Sequence, residues 1–460
     1  MNYIRSSIIL LATLIFLLPA CRSSKSVTPQ PNESSVVQLD SVTMEKILEA
    51  IRQNASKDHY ETQPNYRETA PRSWDLVHMY LSVAFDYARM EMKGNEFVSL
   101  KPVAYPQDVV VLDAKGMQID SVEKIDSVGR RGLYLTTQLK YTYANDQLTV
   151  TMPETVQPGT RITLHIKYVS KPGNIPNKGS AAITDNKGLY FINNFGIETD
   201  KPRQIWTQGE TESNSVWFVT IDKPNQKMTQ ELQIQVQDSQ DVSLSNGLLV
   251  KQIRHKDGTR TDVWKQSLPA APYLTMMAVG NFAIVKDHYK NKEVNYYVEP
   301  KYQPYAKLIF GKTPEMMAFF SNLLKVEYPW EKYSQIVVRD YVSGAMENTS
   351  ATLHGEALQH DARAHLDNNY EDYICHELFH QWFGDLVTCE SWGNLTLNES
   401  FATYGEYLWI EHSLGRADAD YHREEDLDAY LSEASFKRLP IVRYTYADKE
   451  DMFDAHSYQK

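Results

Sequence analysis

The sequence predicts a β domain followed by an α+β domain. Three observations carry that reading. From about residue 72 to 285, short β-rich runs alternate with turn signals. Near residue 290 to 300 the pattern changes, and helical periodicity follows. In this second region stands His376-Glu377-Leu378-Phe379-His380, with eighteen residues between His380 and Glu399. A chain of 460 residues also exceeds one small core, at a prior of about 150 residues per domain.

The elements divide the chain at stated boundaries. Residues 1–21 read as a secretion signal: Arg5 is its positive element and Ile8 to Leu18 its apolar stretch, too short to span a bilayer. It ends Leu18-Pro19-Ala20-Cys21, which resembles a bacterial lipoprotein signal with Cys21 as the lipidated residue. Residues 22–58, rich in Ser, Pro, Gln and Asn over their first half, read as a flexible tether. Residues 59–287 form the expected β domain. Its runs include Tyr141 to Met152, Arg161 to Val169 and Glu231 to Val236, with turn or hairpin signals at Asn246-Gly247 and Asp257-Gly258. No fixed-period repeat points to a solenoid or propeller.

Residues 288–460 form the expected α+β domain. Thr313-Pro314-Glu315 reads as an N-cap with Pro at the first helical position. Met316, Phe320, Leu323 and Leu324 then share a helical face. Tyr333 to Arg339 is a strand run. Asn369 and Asp372 can start a helix that continues through Trp382. Another helix includes Glu399, Tyr404 and Leu408, and a polar helix is expected around residues 417 to 434.

The chemistry begins with the two histidines. Four apart on a helix, they project from one face and can hold one metal ion. Glu399, at the head of the next helix, can supply a third ligand. Two histidines and a carboxylate with a fourth position open describe a catalytic zinc, one per chain. Glu377, second in the motif, stands beside the open position as general base. Glu406 lies seven residues after Glu399 on the same helical face and can reach a ligand histidine.

The stretch His376 to Thr388 (HELFHQWFGDLVT), with Trp392 and Leu397-Asn398-Glu399, resembles the aminopeptidase N family of zinc metallopeptidases. Leukotriene hydrolase belongs to the same group. Gly344-Ala345-Met346-Glu347-Asn348 matches that family's exopeptidase motif letter for letter. Weaker matches include Asp75-Leu76-Val77-His78, Thr207-Gln208-Gly209-Glu210, Pro272-Tyr273-Leu274 and His456-Ser457-Tyr458-Gln459-Lys460. The resemblance implies a saddle-like β domain, a thermolysin-like catalytic domain and C-terminal helical structure. It implies Glu347 and Glu210 as carboxylates for a substrate's free amine, and Tyr458 as a donor to the oxyanion. The segment 344–348 is expected to pair with the substrate backbone as an added strand.

Some positions depart from the family. Asp385 stands where Asn is frequent, and Ser400 where Gly is frequent. The family's Tyr-x-Lys is usually followed by Gly and a helix against the metal site, whereas this sequence stops at Lys460. The expectation is therefore a truncated piece of a longer protein, with the activity of the piece itself left open.

A net charge of −12 argues against nucleic acid and suits cationic ligands, including peptides with an α-ammonium group. Cys375 and Cys389 flank the metal helix; about 12 helical residues hold their ends about 18 Å apart, too far for a disulfide. Both are expected as buried free thiols. The leading expectation is an exported zinc aminopeptidase anchored by lipid on Cys21, on the periplasmic or cell-surface side, with the outer membrane favoured. The alternatives are an inactive zinc- or peptide-binding relative, and a bifunctional relative that also opens an epoxide.

Overall fold

Strand alternation builds the first half of the molecule. Met228–Val236 buries every second residue, so Leu232, Ile234 and Val236 face one core. The computed structural model describes residues 66–128 and 134–459; the expected signal, Cys21 and the tether lie outside them. The largest sheet has eight strands in the order Leu248–Arg254, Arg260–Ala270, Met228–Val236, Trp74–Asp86, Glu91–Pro102, Ile162–Ser170, Met117–Val128 and Tyr134–Gln138. Only Trp74–Asp86 and Met228–Val236 pair in parallel there. A three-stranded sheet and a four-stranded sheet accompany it, and the four-stranded one contains Gln204–Thr207 and Met277–Gly280.

The expected run Tyr141 to Met152 is two strands, Lys140–Ala144 and Gln147–Val156, paired antiparallel. Asn145 and Asp146 turn between them with φ of 53° and 60°. Two left-handed residues in succession match the twist of a hairpin, and Asn and Asp tolerate that region best among residues with a Cβ. Asp257-Gly258 closes a hairpin, Leu248–Arg254 with Arg260–Ala270. Asn246-Gly247 instead links strands of different sheets.

The second half is built on a five-stranded sheet, ordered Ala283–Tyr289, Lys292–Val298, Tyr333–Val337, Ala351–His354 and Ala345–Met346. Its first strand straddles residue 287, so this sheet begins before the expected start at 288. Every residue of Tyr333–Val337 and Ala351–His354 is buried, as inner strands with two covered faces require. Ala345–Met346 is the short edge strand.

Five helices carry or support the candidate site: α1 (Thr313–Leu324), α2 (Glu371–Phe379), α3 (Thr396–Ser413), α4 (Arg416–Ala434) and α5 (Ala455–Tyr458). In α1, Thr313 is not the cap. It is the first helical residue, and its buried hydroxyl donates to the Phe310 carbonyl. The buried arc of α1 is Met316, Met317, Phe320 and Ser321, while Leu323 is 44% exposed. At about 100° per residue Leu323 falls about 90° from the centre of that arc.

Helix α2 ends before the expected Trp382. His380 keeps the helical bond to His376, but Gln381 and Trp382 bond three residues back in a tighter turn. Gly384, at φ 127°, then reverses the chain, and the Asp385 amide returns to the His380 carbonyl. At the other end the Asn369 side chain accepts from the Glu371 amide. Helix α3 comes close to α2 because residue 405 is glycine. A Cβ there would lie 2.7 Å from Phe379 Cγ, and Cys375 Sγ donates to the Gly405 carbonyl. Cys375 and Cys389 are buried free thiols.

Candidate active site

Helical spacing sets the first contacts. His376 and His380 lie one turn apart with their Nε2 atoms 3.1 Å from each other. Glu399 Oε2, from the first turn of α3, is 3.4 Å from both. The Nδ1–H of His376 donates to Glu406 Oε1 across 2.6 Å, and the Nδ1–H of His380 donates to the Phe383 carbonyl across 2.9 Å. With a metal bound, each ring would keep its proton on Nδ1 and turn an Nε2 lone pair inward. Two inward lone pairs and a carboxylate, with donor atoms all within 4.8 Å of one another, fit a zinc ion.

The electrostatics follow from burial and crowding. Burial disfavours charge on His376, but hydrogen bonds to Glu399 and Glu406 outweigh it and raise its pKa well above the ordinary value. Burial also opposes charge on His380, yet Glu347 and Glu399 lift it to about 9. Burial would raise Glu399; His380 and His376 prevail and hold it at about 2. Glu377 is raised by burial, lowered by the two histidines and raised again by Glu347 and Glu399, to about 8. Its Oε2 is buried without a partner and lines the same cavity as the three donors.

Segment 343–347 splits by strand alternation. Ser343, Ala345 and Glu347 line the cavity. Met346 packs away and receives Gln208 Nε2 on its sulfur, while Asn348 donates to the Leu274 carbonyl. Gly344 accepts from the Gly355 amide instead of lining the cavity. The Glu347 carbonyl accepts from Gln381 Nε2, which ties this strand to the residue after His380.

Glu210 reaches the site from the β half. It follows strand Gln204–Thr207, and Gly209 lets that segment press against the chain at Tyr273: a Cβ would lie 2.1 Å from the Tyr273 carbonyl. Carboxylate oxygens of Glu210, Glu347 and Glu399 lie within 4.8 Å of one another. Burial first, then Glu347 and Glu399, push the Glu210 carboxyl well above its usual range, and one of its oxygens is buried without a partner. Tyr273 braces the group, donating toward Glu347 at 3.5 Å and accepting from Asn398 Nδ2 at 3.0 Å.

Tyr458, on α5, stacks on His376 with ring centroids 6.2 Å apart and an interplanar angle of 10°. Burial, then Glu399 and Glu210, hold its phenol well above the ordinary value, so it stays a donor at neutral pH. Glu406 also accepts from His422 Nε2 of α4 across 3.1 Å. Asp385 is fully buried.

Four wall residues escaped the sequence reading: Ala182, Ile183, Ser343 and Phe453. Ala182 and Ile183 belong to a loop of the β half that Thr184 fastens to the Val342 carbonyl by its amide and hydroxyl. Phe453 precedes α5. None lies in a motif, and their loops carry no periodic signal.

Two family models match the chain: the peptidase M1 N-terminal domain over residues 56–274 and the peptidase family M1 domain over residues 309–460. Rat glutamyl aminopeptidase is 29% identical over 256 residues, covering 53% of this chain and 27% of the relative. Human endoplasmic reticulum aminopeptidase 1 is 25% identical over 417 residues, covering 87% of this chain and 43% of the relative. The chain thus spans about a quarter of the length of the glutamyl aminopeptidases it matches. Among solved structures, a mutant two-domain M1 zinc metallopeptidase bound to L-tryptophan superposes with a TM-score of 0.68 at 20% identity, covering 86% of this chain and 82% of that one. An M1 zinc metallopeptidase from Deinococcus radiodurans gives 0.65 at 20% identity over the same shares. At that identity the likeness is one of fold.

Proposed function

The chain belongs to peptidase family M1, and from that membership we propose that it is a zinc aminopeptidase that removes the first residue of peptides bearing a free N-terminal amine. The observation that carries this reading is the convergence of Glu210 and Glu347 on Glu399, within 4.8 Å. Two buried carboxylates beside a metal triad need a cation, and a substrate's α-ammonium supplies one.

His376, His380 and Glu399 would hold a zinc ion. Such an ion would supply acidification of a bound water and polarisation of the scissile carbonyl. Glu377 takes the proton of the attacking water and returns it to the leaving amine. Glu210 and Glu347 accept the ammonium and so set the distance from chain end to scissile bond. The outer edge of Ala345–Met346 has no strand partner among the described residues, which supports pairing with the substrate backbone there. Tyr458 donates to the oxyanion of the tetrahedral intermediate. Glu406 keeps His376 in its ligating orientation.

The test compares one peptide with a free and with an acetylated N-terminus. Acetylation should abolish cleavage; cleavage that survives the block overturns the amine-binding roles of Glu210 and Glu347.

The proposal extends to location. Arg5, the apolar stretch Ile8 to Leu18 and the sequence Leu18-Pro19-Ala20-Cys21 support an exported lipoprotein held on the outer membrane by lipid on Cys21. Labelled palmitate should enter the wild-type chain and not Cys21→Ser. Equal labelling of both removes Cys21 as the anchor.

A further inference from the structure

Gln381 follows His380 directly and is fully buried. Its own backbone is anchored. The Gln381 amide donates to the Leu378 carbonyl across 3.1 Å, and the Gln381 carbonyl accepts from the buried Trp330 indole across 2.9 Å. From this fixed point the side chain reaches the segment that carries Glu347. Its Nε2 donates to the Glu347 carbonyl across 2.9 Å, and its Oε1 accepts from the Ser350 amide across 2.8 Å. Tyr328 donates to the same oxygen across 3.3 Å.

The sheet ladder stops short of Glu347. Between Ala345–Met346 and Ala351–His354 it ends at the pair Met346 and Leu353. Past that pair residues 347–350 turn back, with the Ala351 amide on the Asn348 carbonyl and Ser350 at φ 63°. A serine keeps that left-handed backbone only where its surroundings impose it. A carboxamide holds a donor and an acceptor in one plane, so a single side chain can satisfy a carbonyl and an amide of the turn together. We propose that Gln381 is a positioning residue: its carboxamide sets Glu347 at a fixed place relative to His380, and with it the spacing between a bound amine and the metal. The inference rests on the aminopeptidase reading and adds the group that fixes its geometry.

The test is calorimetry on the zinc-loaded chain with two ligands, the hydroxamates of L-alanine and of propanoic acid. They differ only by the α-amine, and the wild-type chain should bind the alanine compound more tightly. Gln381→Met fills nearly the same volume and can make neither bond. It should cut that preference at least about fivefold, the size of one hydrogen bond, with propanoic hydroxamate affinity and zinc content held within about twofold. If Gln381→Met does not fold, Gln381→Asn, whose amide sits one methylene short of the turn, is read in its place. An unchanged preference, or equal weakening of both compounds, overturns the inference and leaves the aminopeptidase reading standing. Equal binding of the two compounds by the wild-type chain removes the reading and the inference with it.

Discussion

Ser400 donates its hydroxyl to the carbonyl of Ser457 across 2.7 Å. One partner follows Glu399, the proposed metal ligand; the other precedes Tyr458. The bond joins the first turn of α3 to the short helix carrying the phenol, and Thr396 Oγ1 lies 2.5 Å from the same hydroxyl. Ser400→Ala should leave zinc content unchanged and lower kcat about fivefold, the equivalent of one neutral hydrogen bond of about 1 kcal/mol. Metal analysis with steady-state kinetics checks it. Unchanged kcat would show that Tyr458 is held by other contacts.

Three variants separate holding the metal from using it. Glu399→Ala should lose stoichiometric zinc. Glu406→Gln should bind zinc about 10- to 100-fold more weakly, because His376 loses its carboxylate partner. Glu377→Ala should keep zinc and lose most turnover. Chelator competition gives the affinities. Normal zinc loading of Glu399→Ala would remove it from the ligand set.

The β half contains a proton-linked site of its own. Glu96 is fully buried, and one oxygen accepts from the Val219 amide. Burial, against the bonds of Val219 and Tyr168, raises its carboxyl from 4.5 to about 8. The folded state thus binds this proton more tightly than the unfolded chain. Its contribution is full below pH 4.5 and is lost as pH rises through 8, by about 1.4 kcal/mol per pH unit. Glu96→Gln should flatten this slope in urea unfolding between pH 5 and 8. An unchanged slope would mean that another group carries the linkage.

Asp454 holds α5 in place by charge. It accepts from the His456 and Ser457 amides, and from Arg443 at 2.6 Å and Lys437 at 2.8 Å. Glu433 accepts from the Ala455 amide beside it. Arg443 is buried, so Asp454→Ala leaves a guanidinium with one carboxylate fewer and removes a helix cap. A loss of about 3 to 5 kcal/mol is expected, read by denaturant unfolding. A loss below about 1 kcal/mol would mean that the pair behaves as an exposed one.

How much of this was legible depended on whether position along the chain implied position in space. His376, Glu377 and His380 share a helix turn, so spacing alone places them together. Glu347 and Glu210 needed the resemblance, because the fold closes the gap between them. Ile183 and Phe453 could not be read at all, since a loop wall has no period. Ser400 stood out only as a departure; its partner Ser457 is 57 residues away. The turn at Asn145-Asp146 was missed for a local reason: β-rich residues on both sides hid two residues that tolerate a left-handed backbone.

Glu210 stands on the β half, and Glu347 just after the edge strand Ala345–Met346 of the other half. On the proposed function, sensing a chain terminus is then a coincidence device: two surfaces from distant parts of the chain must both find the ammonium. The hydrolytic triad needs no such agreement, because its three side chains come from neighbouring helices. A change that shifts one half against the other by an ångström would thus leave the chemistry intact and blur the distinction between a chain's end and its middle. Fidelity toward termini resides in the seam, and selection on it would act on packing residues such as Gly209 and Tyr273.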